Sequence, residues 1–351
     1  MIKPTKLNKG DTIATVSLSW GGAGEMPHRY QAGKQQLQNN FGVNVIEMEN
    51  TLKSAQWLHN NPQARANDLH EALVNPNVKA IISNIGGSDS IRLLPYIDFD
   101  LIKQNPKIFL GFSDSTITHF MFYKAGVTSF YGTSLLVGFA ENGGMHDYVM
   151  QDIRRTLFSS QPAGQISPSP VWTSEILEWD NPELAATKRI MTESQGWRWL
   201  TSKSNKEGKG LGKVTGELLG GCVEVLEFMK DTPLWVQPEN WQDKILFIET
   251  SEDQPSPTFF RYWLRNYVAS GIMKRLKGVI VGRPENNKFW QEYDEVLIDV
   301  IYNEAGLTDL PIITGMDFGH SSPTFTLPLG VKAEIDCDNK TFSIIESGIR
   351  D

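Results

Sequence analysis

Ser113, Glu249 and His320 are three residue types that share acyl-transfer chemistry, and each stands at a comparable place in this chain. Ser113 follows the apolar run IFLGF, Glu249 closes KILFI, and His320 lies in the loop FGHSSPTF shortly after IIT. Each is expected at or just beyond the end of a buried strand, where side chains of one sheet converge. A hydroxyl, an imidazole and a carboxylate so gathered would be a nucleophile, its general base and the acid that orients the base.

The serine has a second reading. Ser and Asp are favoured at helix N-caps, and a helical pattern begins directly after Ser113. The match of GFSDS to the G-x-S-x-G nucleophile elbow is partial, because Ser115 replaces the second glycine. His119, six residues on, falls on roughly the opposite face of that helix and is a poor base for Ser113. Glu252 competes with Glu249 for the acid role from three residues further into a proline-rich loop.

Oxyanion donors are expected from the amides of Gly87, at the end of a neighbouring strand, and Asp114. The Gly86-Gly87 pair also reads as a plain tight turn or an anion loop, although neither GxGxxG nor GxxxxGK[ST] occurs. No HExxH-like spacing is present, and Cys222 and Cys337 lack CxxC spacing, so neither metal nor cofactor is expected.

The elements that must position these residues follow an α/β pattern. Apolar runs at 11–19, 43–48 and 78–85 alternate with helical periodicity at 30–39 and 64–74. Such βαβαβ alternation predicts a doubly wound, mostly parallel N-terminal sheet with helices on both faces. The stretch SSQPAGQISPSP, 159–170, is the strongest linker signal. Domains are expected at 1–165 and 211–351, the second an α/β domain on a mixed sheet, with 166–210 as linker and substrate loop. Within that loop, Trp197 and Trp199 read either as core packing on a strand or as the wall of a ligand pocket.

Composition narrows the function. Over 351 residues the formal charge is -8, which argues against a nucleic-acid surface. No apolar run of about 18 residues is present and the N-terminus has no signal-peptide core, so a chain without leader or membrane span, in a reducing cytoplasm, is expected. A small molecule or peptide is the expected partner.

Five motifs in order, IGGSDS, GFSDST, GELLGG, ILFIETSE and FGHSSPTFTLPLG, carry a resemblance. From Thr12 to Asp336 the chain is similar to the serine peptidase family of LD-carboxypeptidases and the microcin C immunity proteins related to them. The resemblance implies a Ser113-Glu249-His320 triad, oxyanion donors near Gly87 and Asp114, a site between two domains, and a homodimer. GWRWL and ETSEDQPSP look more like the immunity branch, which cleaves the amide joining a peptide or amino acid to a nucleotide. That branch implies that Trp197 or Trp199 stacks on the nucleotide, with Glu252 also in the substrate site. The other branch removes a terminal D-amino acid from murein peptides. A non-catalytic small-molecule binder is the reading that needs no triad.

Overall fold

The protein is described from a computed structural model covering residues 1–201 and 211–351, so residues 202–210 of the expected substrate loop lie outside the described residues. The N-terminal half supplies β1 (Thr12–Val16), β2 (Asn44–Glu47), β3 (Val78–Ser83), β4 (Ile108–Gly111) and β5 (Phe130–Tyr131). These five pair in parallel in the order β5-β4-β3-β1-β2. Nearly continuous burial along β3 and β4 is what a sheet covered on both faces demands.

Alternate residues feed two apolar layers. Ile13, Ile82, Ile108 and Leu110 join Leu37 and Phe41 of the helix Pro27–Phe41 on one face. Ala14, Val16, Ile81 and Phe109 join Leu69 and Leu73 of the helix Pro62–Val74 on the other. Pro27 opens its helix and Gly42, at φ 69°, ends it in the left-handed conformation that glycine adopts without a Cβ penalty. Each fully buried Leu, Ile or Phe contributes about 1.5–3 kcal/mol to the core.

Next in the chain come β6 (Gly164–Ile166), β7 (Val171–Trp172), β8 (Thr192–Glu193), β9 (Arg198–Leu200), β10 (Lys213–Cys222), β11 (Lys244–Glu249), β12 (Gly278–Gly282) and β13 (Ile312–Met316). They are followed by β14 (Leu327–Pro328), β15 (Lys332–Asp336) and β16 (Thr341–Ile344). The second sheet has the order β6-β16-β15-β10-β11-β12-β13-β9, parallel from β10 to β13 and antiparallel toward both edges. β7 and β8 form a separate ribbon. The expected fold class, a mostly parallel sheet followed by an α/β domain on a mixed sheet, is the one observed.

Two crossings depart from a simple division of the chain. Gly164–Ile166, inside the stretch read as a linker, is already an edge strand of the second sheet. β14 returns to the first sheet and pairs antiparallel with β5, with Pro328 on an edge where its missing N–H is tolerated. One continuous apolar cluster accordingly joins Phe109 and Ile117 of the first half to Leu246 and Phe247 of the second.

Candidate active site

β4 ends at Gly111, Phe112 is extended, and Ser113 stands at φ 60°, an uncommon conformation for a residue with a Cβ. A 3-10 turn, Ser113–Ser115, and the helix Thr116–Lys124 follow at once. This strand-turn-helix geometry presents the Ser113 hydroxyl beyond the end of the sheet. Phe112 holds the N-cap position of the turn and Ser115 that of the helix, which corrects the N-cap reading of Ser113. Both Ser113 backbone groups are held: its N–H donates to the Tyr131 hydroxyl at 3.0 Å, and its carbonyl accepts the Thr116 hydroxyl at 2.7 Å.

Glu249 is the last residue of β11 and is fully buried. His320 lies in the loop after β13, with Nδ1 2.7 Å from Glu249 Oε2 and Nε2 3.1 Å from Ser113 Oγ. The second carboxylate oxygen of Glu249 accepts the Tyr131 hydroxyl. The approach is tight enough that a Cβ on Gly319 would stand 2.6 Å from Glu249 Oε2, and Gly319 also needs its φ of +98°. The Phe112 ring lies against the imidazole at 5.0 Å between centroids.

Glu252, mostly exposed, places Oε2 3.0 Å from His320 Nε2. Burial of His320 opposes its charged form, but the Glu249 and Glu252 carboxylates outweigh that and hold the imidazole well above its ordinary pKa. Hydrogen bonding to His320 in turn lowers Glu252 to about 2. Glu249 faces Nδ1 and Glu252 faces Nε2, so geometry separates two acids that the sequence left in competition.

The glycine pair follows β3 beside the serine. A Cβ on Gly86 would fall 2.8 Å from Ser113 Cβ, 2.9 Å from its Oγ and 3.2 Å from the Asp114 amide nitrogen. Gly87, at φ +143°, has no room for a Cβ either, since Ser19 Oγ would be 2.4 Å away. The Asp114 carboxylate ties this loop down by accepting the Ser19 hydroxyl at 2.6 Å and the Ser90 amide at 2.9 Å. His119 is structural: both ring nitrogens are bonded, to Ser129 Oγ and the Gly111 carbonyl, and burial lowers it to about 4.

Ser113 and His320 open into a cavity of about 420 Å³ whose wall includes Trp20, Arg29, Trp179, Glu252 and Glu285. Trp179 is held from two sides by the start of one helix: the Arg29 guanidinium lies 4.1 Å from its ring centre and His28 Nε2 is 2.9 Å from its carbonyl oxygen. Trp197 and Trp199 do not line this cavity, where the resemblance would put them, but border a separate one with Ile166 and Lys340. Trp199 pairs with Ile313 on β9, while the Trp197 indole donates to Asp317 at 2.8 Å and packs on Phe325. The aromatic wall of the cavity at Ser113 comes instead from Trp20 and Trp179, the latter in the stretch SEILEWDNPEL. Among the described residues, no group of three His, Cys, Asp or Glu is arranged to hold a metal ion.

A serine on a strand-turn-helix elbow of a parallel sheet, facing a histidine and a glutamate carried by the second half of the chain, is the arrangement seen in serine peptidases. The chain belongs to the LD-carboxypeptidase family of serine-type peptidases: residues 13–132 match the LD-carboxypeptidase N-terminal domain and 215–335 its C-terminal domain. It is 30% identical to the microcin C7 self-immunity protein MccF of Escherichia coli, over 96% of this chain and 94% of that one. An MccF-like protein from Streptococcus pneumoniae, solved in complex with AMP, superposes with a TM-score of 0.84 at 31% identity, over 95% of this chain and 98% of that one. MccF in complex with aspartyl sulfamoyl adenosine superposes at 0.81 with 26% identity, over the full length of both chains.

Proposed function

We propose that this carboxypeptidase-family enzyme cleaves an amide bond with a Ser113-Glu249-His320 triad, and that its substrate is a peptidyl or aminoacyl nucleotide. The observation that carries the triad is the unbroken hydrogen-bonded line from Ser113 Oγ through both nitrogens of His320 to Glu249. His320 Nε2 takes the Ser113 proton as Oγ attacks the acyl carbon, and Glu249 accepts from Nδ1–H and balances the imidazolium that forms. The amides of Gly87 and Asp114 receive the oxyanion. Collapse breaks the C–N bond, the leaving amine takes the proton from His320, and water then hydrolyses the acyl-enzyme by the same route.

The cavity supports the nucleotide. Trp179 gives a flat apolar face fixed in place by Arg29 and His28, suited to stacking a base. Glu252 and Glu285 put carboxylates on the wall, where the ammonium of an aminoacyl group would find charge. Kinship with proteins solved around AMP and an aminoacyl sulfamoyl adenosine points the same way.

The test is a parallel turnover assay on aspartyl sulfamoyl adenosine and on a murein tetrapeptide with an L-to-D terminal bond. Turnover of the nucleotide is expected. Release of the terminal D-amino acid with no cleavage of the nucleotide would replace this substrate by the murein peptide.

A further inference from the structure

The triad leaves one buried hydroxyl at the site without a role. Tyr131 ends β5 in the first sheet and is fully buried. Its phenol oxygen accepts the Ser113 N–H at 3.0 Å and donates to Glu249 Oε1, the carboxylate oxygen that His320 does not use. We propose that Tyr131 is a positioning residue, one hydroxyl that fixes the serine elbow and the triad acid to each other although they arrive from different sheets.

Glu249 is buried, and its two oxygens each take one of these donors, Tyr131 and His320. A buried carboxylate oxygen stripped of its donor is costly. A carboxylate bonded to the imidazole alone could also turn about its terminal bond and leave the plane in which His320 is aimed at Ser113. The phenol closes that freedom. On its other side it accepts the amide of a residue at positive φ, so the strained turn that presents Oγ gains a fixed partner.

Tyr131 is itself held firmly enough to act as a reference point. Its backbone pairs with Gly111 on one side and Leu327 on the other. Its ring packs on His119 at 5.4 Å and on Phe247 at 5.4 Å, the latter from β11, the strand that ends in Glu249. Burial, and then the neighbouring Glu249 charge, keep the phenol protonated well past its ordinary range, so it stays a donor. A bland core tyrosine would share the packing but would not be expected to bond both the nucleophile's amide and the acid.

This inference rests on the triad reading, and the experiment separates the two. Tyr131→Phe removes only the hydroxyl. It is expected to lower kcat on aspartyl sulfamoyl adenosine, and the rate of Ser113 labelling by a fluorophosphonate, by roughly tenfold to a hundredfold with KM little changed. The far-downfield proton resonance of His320 Nδ1–H should move. In a Glu249→Gln background, adding Tyr131→Phe should cost little more, because the hydroxyl acts through that carboxylate. Wild-type kcat with an unmoved resonance, or equal losses in both backgrounds, overturns the proposal. Should the phenylalanine variant not fold, 3-fluorotyrosine at position 131, a stronger donor of nearly the same shape, must shift the same resonance; no shift also overturns it. Failure of the triad itself reads differently, as full activity in Ser113→Ala or Glu249→Gln.

Discussion

Glu252 and Ser113 address the same nitrogen: the Glu252 carboxylate stands 3.0 Å from His320 Nε2, and the Ser113 hydroxyl stands 3.1 Å from it. As a base, neutral His320 must accept from Ser113 there, whereas the Glu252 contact is favourable only when Nε2 carries a proton. The carboxylate therefore favours the charged imidazole, the form that cannot begin the reaction.

A pH dependence follows. His320 is held above its ordinary range, so it keeps its proton to higher pH, and kcat/KM should fall as pH drops through that raised value. Glu252→Gln removes one of the two carboxylates responsible, so the acid limb should move to lower pH, with turnover on the plateau changed by less than about tenfold. A pH-rate profile checks this, and an acid limb that stays put or moves upward contradicts it.

Glu249→Gln should behave differently. It replaces the acceptor for His320 Nδ1–H with an amide that can hold the wrong tautomer, and the expected loss in kcat is roughly a thousandfold or more. The ratio of the two glutamine variants in one assay identifies the acid, and a larger loss from Glu252→Gln would reverse the assignment.

Ser113→Ala should abolish turnover while leaving the thermal unfolding midpoint within a few degrees of wild type, since Ser113 is not the N-cap of the turn or of the helix after it. Gly86→Ala is the complementary change. Its new methyl would fall 2.8 Å from Ser113 Cβ and 2.9 Å from Oγ, crowding the space where a reacting carbonyl must sit. A fall in kcat of roughly a hundredfold in a folded protein is expected, read from kinetics beside circular dichroism.

Trp179→Ala should weaken AMP binding by roughly tenfold or more in calorimetry. Trp197→Ala should instead cost stability, about 1–3 kcal/mol for the lost Asp317 bond and packing, with AMP affinity retained. The opposite pattern would return the stacking role to the GWRWL motif.

Those tryptophans mark where the sequence could be read and where it could not. The βαβ alternation was legible because buried parallel strands leave continuous apolar runs, and Ser113, Glu249 and His320 were legible because each follows such a run. Trp197 and Trp199 carry the right chemistry for a pocket, but whether a tryptophan faces ligand or core depends on tertiary packing, here the buried Asp317 that takes the Trp197 N–H. Tyr131 left no signal: it sits on a two-residue strand, and its partner Glu249 is 118 residues away in sequence. The return of β14 to the first sheet was equally hidden, because a two-residue pairing has no period to detect.

That return strand also determines how His320 is hung. β13 ends at Met316 in the second sheet and β14 begins at Leu327 in the first, so His320 rides on the span between them, anchored at both ends to different halves of the molecule. A chain severed in the Ser- and Pro-rich stretch 159–170 would give neither fragment a finished part: the front piece would expose a bare flank of β5, and the back piece would carry an imidazole on a strap with one end loose. Reassembly in trans would need the back piece to donate its strand as well as its side chains, and the return of activity would follow the seating of that strand.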